Sequence, residues 1–209
     1  APPDSILMIF RPVNDFASPE SYTIPNGNSG KFAMLYDWRH GQLYYFSHEG
    51  RFYRITVSGS VAFEQLLITP GPNAAPQYPL LAMDEDGVVY GAWTTVKHNE
   101  YLYWNIGAAR SRDQGATWQR FDGAALATPI VCDDTGPAHA IQLGDELTSH
   151  TWLWNVAAKN NKVHFAYLAQ TTPSRQNYVR YDAVTGAEDL RIAPVFGGGT
   201  TSLLSLDGF

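Results

Sequence analysis

One polar segment of the chain contains several side chains that can move protons or hold a polar ligand. It is TVKHNEYLY, which includes His98, Asn99 and Tyr101. Histidine and tyrosine serve as general acids or bases, and asparagine binds hydroxyl groups. A histidine in a loop is either simply exposed or functional, and both interpretations stay open. His98 is a candidate catalytic residue, and Asn99 and Tyr101 are candidate binding residues.

Two further candidates border aromatic runs. His150 directly precedes the run WLWN, where it either lines the mouth of a channel or caps a turn. Tyr167 alternates with Val163 and Phe165, so it either packs in a core or presents its hydroxyl to a ligand. Both residues are candidate catalytic groups because each can carry a proton.

Arginines follow shortly after Tyr167. Arg175 and Arg180 are alternative candidates for binding a carboxylate, because the guanidinium fork meets two oxygens at once. Arg180 could equally pair with a neighbouring strand. Tyr178, between them, and His139, further upstream, complete the candidate binding residues.

A metal site is a weaker possibility. Cys132, Asp133 and Asp134 stand together, with His139 and His150 nearby in sequence. Cysteine and histidine suit structural zinc, whereas paired carboxylates suit calcium. The spacing matches no metal-binding signature. The chain also has no phosphate-binding loop, nucleophile elbow or His-Glu-x-x-His motif, so no cofactor is predicted with certainty.

The composition limits the class of protein. The 209 residues are 44% hydrophobic and 16% charged, which is enough apolar surface for a folded core. The formal charge of −6, with scattered Lys and Arg, argues against nucleic acid or an anionic membrane as partner. A single Cys excludes an internal disulfide, and no apolar run is long enough to span a membrane. The beginning, APPD, suits a processed mature end or a boundary within a longer chain, so we expect secretion or a periplasmic location.

A repeated pattern organises the chain. Three segments each contain an apolar run, a turn rich in Asp, Asn or Gly, and a second apolar run, and each is followed by another strand pair. Four strands occurring three times predict an all-β protein of four-stranded antiparallel β-propeller blades. The predicted blades are about 31–68, 78–122 and 139–192, with partial strands at 5–10 and 196–209.

About three and a half blades do not close a ring, because propellers use four to eight. We therefore expect one propeller portion over 1–209, with the remaining blades supplied by a longer chain or by another chain. A β-sandwich with similarly spaced strands is the alternative fold.

The second repeat contains the stretch SRDQGATW. Its Ser111, Asp113, Gly115, Thr117 and Trp118 form the pattern Ser-x-Asp-x-Gly-x-Thr-Trp. Asp accepts local backbone hydrogen bonds, Gly supplies a positive φ, and Trp can pack beneath the turn. A plain β-turn is the simpler interpretation.

The same stretch resembles the Asp-box of the neuraminidase-repeat β-propellers, and the sequence from Leu80 to Asp182 resembles the ulvan-type polysaccharide lyases among them. The resemblance implies β-elimination beside a uronic acid in a polysaccharide. That reaction needs a group that neutralises the carboxylate, a base for the C5 proton and an acid for the leaving oxygen. Arg175 or Arg180 would neutralise the carboxylate, and His98 or His150, together with Tyr167, would transfer the protons.

Two other functions stay open. A sialidase-like hydrolase would need an arginine cluster, and only Arg11, in IFRPVND, has a partial motif. A non-catalytic lectin would use Tyr and Trp to stack on sugars. The loops SHEG, TVKHNEYLY and QTTPSRQN differ in length and chemistry, which favours one specialised site over a repeated lectin pocket.

Overall fold

The computed structural model describes residues 3–11, 17–27, 30–97, 102–132, 137–141, 150–171 and 173–192. These residues form 18 β-strands and contain no helix. The described part of the chain thus offers no helix with the length and apolar character of a membrane span.

The N-terminal part forms a hairpin and a first sheet. Strands β1 (Ser5–Ile9) and β2 (Glu20–Ile24) pair with each other in antiparallel fashion. The first sheet has four antiparallel strands in chain order, which are β3 (Phe32–Asp37), β4 (Gln42–Ser47), β5 (Arg51–Thr56) and β6 (Val61–Leu66).

The second sheet is larger. After β7 (Ile68–Pro70), its strands in chain order are β8 (Ala74–Met83), β9 (Val89–Lys97), β10 (Leu102–Ser111), β11 (Trp118–Gln119) and β12 (Ala125–Leu126). Strand β13 (Ile130–Cys132) pairs in parallel with β7, and these two strands form a sheet of their own. Strand β14 (His139–Ile141) pairs with β10.

The third sheet is again four-stranded and antiparallel. It contains β15 (Thr151–Lys159), β16 (Lys162–Ala169), β17 (Arg175–Asp182) and β18 (Glu188–Ile192). The predicted third repeat, 139–192, is therefore divided, because β14 completes the edge of the second sheet and the third sheet begins at Thr151.

Successive sheets pack face to face. Tyr45 and Tyr53 of the first sheet pack against the β1–β2 hairpin, while Tyr44 and Phe46, on the opposite face, pack against the second sheet. The other face of the second sheet packs against the third sheet through residues such as Tyr90. Strands buried on both faces need apolar side chains at successive positions, which explains runs such as LYYF in β4.

The all-β class and the antiparallel sheets that we predicted are confirmed. The described residues form no closed ring, so the number of blades stays a prediction.

The Ser-x-Asp-x-Gly-x-Thr-Trp turn joins β10 to β11 and is held by its own side chains. Asp113 accepts hydrogen bonds from the Thr117 backbone N–H at 2.8 Å and hydroxyl at 2.6 Å. Burial opposes ionisation of Asp113, but the bonds from Thr117 and Ser111 outweigh it and lower the pKa of this carboxyl. The buried Trp118 ring donates its Nε1–H to the Gly115 carbonyl at 3.1 Å and meets Phe52 edge-on. The turn therefore anchors the second sheet against the first.

The hairpin turns of the first two sheets share a different device. Asp37 accepts a hydrogen bond from the Tyr44 hydroxyl at 2.8 Å, and Asp84 accepts one from the Tyr90 hydroxyl at 2.9 Å. Each carboxylate is buried and also accepts backbone N–H bonds of its own turn, such as that from Arg39 to Asp37. These pairs stabilise the end of each sheet at which its first hairpin turn lies.

Candidate functional site

The first strands of the three sheets lie side by side, with β8 between β3 and β15. Lys31, Tyr78 and Trp154 occupy the same place in each repeat, six residues before the turn residues Asp37, Asp84 and Asn160. Because the strands are adjacent and in similar register, these three side chains come together in space.

They line an open groove of about 460 Å³. This is within the usual size range of small-ligand sites. The described residues that line it are Lys31, Phe32, Tyr78, Pro79, Leu80, Trp152, Leu153 and Trp154. The lining is largely aromatic and apolar, with a single charged side chain.

A β-bulge directs Tyr78 into this groove. The pairing of β8 with β9 is interrupted between Gln77 and Leu80, and Tyr78 has a φ of +50°. A positive φ at a bulky residue is strained, and such strain persists where the surrounding structure enforces it, often at binding sites. The strand β15 has a second bulge between Leu153 and Asn155, at Trp154. The two bulges thus change the direction in which the side chains of Tyr78 and Trp154 point.

Next to the groove, four rings form a continuous cluster. The ring centroids of Tyr78 and Tyr103 are 5.4 Å apart, and those of Tyr103 and Trp152 are 5.8 Å apart. The ring of His150 lies 5.5 Å from that of Tyr103 and 6.3 Å from that of Trp152. Tyr78 and Trp152 close the cluster at 6.4 Å. A histidine and two tyrosine hydroxyls are therefore held beside the aromatic lining.

The protonation of this cluster follows from its contacts. The backbone N–H of Tyr103 donates to Nδ1 of His150 at 3.3 Å, so the neutral imidazole carries its proton on Nε2. Burial, and then a hydrogen bond with the Tyr78 hydroxyl, raise the pKa of Tyr103. The Nε2–H of His150 and the hydroxyl of Tyr103 can therefore each donate a hydrogen bond to an anionic group of a ligand.

Among the described residues that line the groove, only Lys31 has a charged side chain. Its ammonium donates to Oε1 of Gln77 at 2.5 Å and lies 4.3 Å above the centre of the Tyr78 ring. The cation–π contact and the hydrogen bond hold the charge at the groove wall.

The other predicted catalytic residues are distributed over both faces of the third sheet. Tyr167 is only 2% exposed, and its hydroxyl accepts a hydrogen bond from Nη1 of Arg191 at 3.0 Å. Arg175 lies on the same face as Tyr167, because Arg175 pairs with Ala169 and side chains alternate along a strand. Arg180 pairs with His164 and lies on the opposite face, where its Nε donates to Asp189 at 2.7 Å. Of the two arginines, only Arg175 shares a face with Tyr167.

Arg175 is exposed and lies at the same end of the sheet as His150. The His150 carbonyl accepts a hydrogen bond from the Gln170 backbone N–H at 2.7 Å, and the adjacent Ala169 pairs with Arg175. The structure thus brings Tyr103, His150 and Arg175 to one end of the second and third sheets.

Two predicted binding residues lie away from the groove. His139 is 5% exposed and stacks on Phe121 at 4.4 Å. Burial lowers the pKa of His139 to about 4. Tyr178 pairs its hydroxyl with Nδ1 of His164 at 2.7 Å, on the same face as Arg180.

The remaining candidates are the residues of the loop after β9 and those of the predicted metal site. His98, Asn99, Tyr101, Asp133 and Asp134 lie outside the described residues. Cys132 is a buried thiol outside any disulfide, and its Sγ lies 3.4 Å from the Thr95 hydroxyl. Within the described ranges, no three His, Cys, Asp or Glu side chains come together to hold a metal. The zinc or calcium site stays a prediction.

The sequence interpretation missed Lys31, Tyr78, Trp152 and Trp154. A usable signal was present, because Lys31, Tyr78 and Trp154 precede their turn residues by the same number of positions. Comparing equivalent positions of the repeats would have selected these residues before the loops.

No family model matches the chain, and the search of curated proteins found no match. Solved structures with the same fold include an ulvan lyase of polysaccharide lyase family 25, with a TM-score of 0.56 and 12% identity. The alignment covers 78% of this chain and 42% of that one. A second structure, of such an enzyme bound to -[GlcA(1-4)Rha3S]-, gives a TM-score of 0.55 at 12% identity and the same coverage. The chain therefore spans less than half the length of these structural neighbours.

Proposed function

We propose that the chain is part of a secreted or periplasmic carbohydrate-active β-propeller, in which the three sheets are blades and the remaining blades come from a longer chain. Four observations support the propeller architecture and the longer chain. The sheets are four-stranded or larger, their first strands are adjacent, and successive sheets pack face to face. The neighbours that share the fold are polysaccharide lyases and are more than twice as long as the matched segment.

We further propose that the groove binds a polysaccharide that contains uronic acid and that the site cleaves it by β-elimination. The observation that carries this proposal is the cluster of Tyr78, Tyr103, His150 and Trp152 beside an aromatic groove. Aromatic rings stack on the apolar faces of sugars, and the neighbouring donors can reach a glycosidic oxygen or a carboxylate.

In this reaction a base removes the C5 proton, the C4–C5 double bond forms, the C4–O bond breaks, and an acid protonates the leaving oxygen. Tyr103 suits the acid, because its raised pKa keeps the hydroxyl protonated at neutral pH. The neutral His150 ring, with its proton on Nε2, suits a hydrogen bond to the substrate carboxylate. Arg175 suits neutralisation of the carboxylate. His98, in the segment that joins β9 to β10, is the proposed base.

The test uses the formation of the C4–C5 double bond, which absorbs ultraviolet light because it is conjugated to the carboxylate. The complete protein is incubated with uronate polysaccharides, and the absorbance is followed with and without the change His150→Ala. The proposal is supported if the absorbance rises with the wild-type protein and if the rate of this rise is at least about 100-fold lower in the variant. His40→Ala, at the opposite end of the first sheet, is the matched control. New reducing ends without absorbance would instead indicate hydrolysis.

A lectin is the second candidate, and the largely aromatic groove lining favours it. Binding of the polysaccharide without either product would identify that function. The sialidase alternative has less support, because Arg11 binds Glu20 and the Val57 carbonyl at the turn end of the first sheet, away from the groove.

A further inference from the structure

We propose that Lys31 is a specificity-determining residue, which makes the groove select sugar residues that carry a negative charge. The inference rests on the proposed carbohydrate-binding function, but it concerns recognition and not the cleavage step. In this inference, one side chain is responsible for the preference for acidic over neutral sugars.

The first support is that no described carboxylate lies beside Lys31. Several described cations form ion pairs with carboxylates, as Arg51 does with Glu64 and Arg191 with Glu188. Lys31 forms no ion pair with any described residue, and neither Asp nor Glu is among the described residues that line the groove. A cation with no described carboxylate beside it suits an anionic ligand.

The second support is the way in which the ammonium is positioned. Gln77 accepts one of its three N–H bonds and Tyr78 lies beneath it, so the remaining donors stay available at the groove wall. An apolar lining lowers the local dielectric constant, which strengthens the attraction between Lys31 and an anion in the groove. Holding the charge in place also reduces the entropy that the side chain loses on binding.

The third support is the register of the repeats. Lys31 stands at the position that Tyr78 and Trp154 occupy in the next two strands. A sugar that stacks on Trp152 or Trp154 would lie in the same groove as the ammonium of Lys31. Stacking supplies affinity for any sugar, and Lys31 adds a preference for those with a carboxylate or a sulfate ester.

The experiment measures binding by calorimetry, with three saturated oligosaccharides that differ only in charge. The first has alternating glucuronate and sulfated rhamnose, the second is desulfated, and the third is both desulfated and reduced at its carboxyl groups. Lys31→Gln is expected to weaken binding of a charged oligosaccharide about tenfold and to leave the neutral one unchanged. Loss for the first oligosaccharide alone identifies sulfate as the recognised group, and loss for both charged ones identifies the carboxylate.

Two variants make the result specific. Lys31→Arg keeps the charge and should retain the preference for charged sugars. Lys159→Gln removes the same charge at the opposite end of the third sheet and should change nothing.

An unaltered ratio of charged to neutral affinity in Lys31→Gln would overturn the inference, as would failure of the wild-type protein to bind any charged oligosaccharide. Selective binding without β-elimination would uphold the inference and reject the lyase reaction, and β-elimination with an unchanged KM in Lys31→Gln would do the reverse.

Discussion

His150 and Tyr103 are connected by a hydrogen bond that runs from the Tyr103 backbone N–H to Nδ1 of His150, across 3.3 Å. The donor is a main-chain group and cannot reverse its role. The neutral ring is therefore restricted to the tautomer with hydrogen on Nε2, and the bond joins the beginning of β10 to that of β15.

The first prediction concerns this tautomer. In ¹⁵N-labelled protein with His150 in its neutral form, Nδ1 should show the chemical shift of an unprotonated nitrogen and Nε2 that of a protonated one. The His150→Ala variant assigns the signals. A proton on Nδ1 would show that the bond does not form, and His150 would then regain Nε2 as a site for a general base.

The second prediction concerns Trp118. Its buried ring packs against Phe52 and bonds to Gly115, so Trp118→Ala should lower the free energy of unfolding by about 3–5 kcal/mol. Urea denaturation measures this change. Trp38, which is 69% exposed, is the matched control, and Trp38→Ala should cost less than about 0.5 kcal/mol. A loss below about 1 kcal/mol at Trp118 would mean that the ring does not anchor the turn.

The third prediction concerns Gly115, which has a φ of +87°. A Cβ at this position would lie 2.1 Å from Cε1 of Phe52, so Gly115→Ala adds a steric clash to the backbone strain. We expect a loss of more than about 2 kcal/mol in unfolding free energy. Gly41 has a φ of +59° but its nearest neighbour would be 3.9 Å away, so Gly41→Ala should cost only about 1 kcal/mol. Equal losses in thermal or urea unfolding would contradict the steric argument.

The fourth prediction concerns pH. Burial lowers the pKa of His139 in the folded protein to about 4, whereas in the unfolded chain it has its ordinary value near 6.5. Between these values the unfolded state binds a proton that the folded state does not, so stability falls as the pH falls from about 6.5 to 4. The loss attributable to this residue is about 3 kcal/mol.

Urea denaturation at pH 7 and pH 4.5 tests this dependence. His139→Phe keeps an aromatic ring against Phe121 and removes the titrating group, so the fall in stability should be smaller in this variant. An identical fall in wild type and variant would assign the acid sensitivity to other groups.

The sequence by itself determined the local structure. Alternating and continuous apolar runs specified the strands, and turn residues such as Asp37, Asp84 and Gly115 specified where the chain reverses, because these preferences depend on neighbouring residues only. The all-β class and the antiparallel hairpins followed from that. The sequence also marked His150 as a candidate, and the structure places it beside the groove.

Only the tertiary structure decided which distant side chains meet. Lys31 directly precedes β3, whereas Tyr78 and Trp154 lie in β8 and β15, and a pattern within one segment says nothing of the register between sheets. The bulges at Tyr78 and Trp154, which re-aim these rings, are set by pairing with other strands. Arg175 and Arg180 lie on opposite faces of β17. The environment of each therefore depends on which of these faces packs against the second sheet. Residues far apart in the chain are joined by packing, and packing is a property of the whole fold.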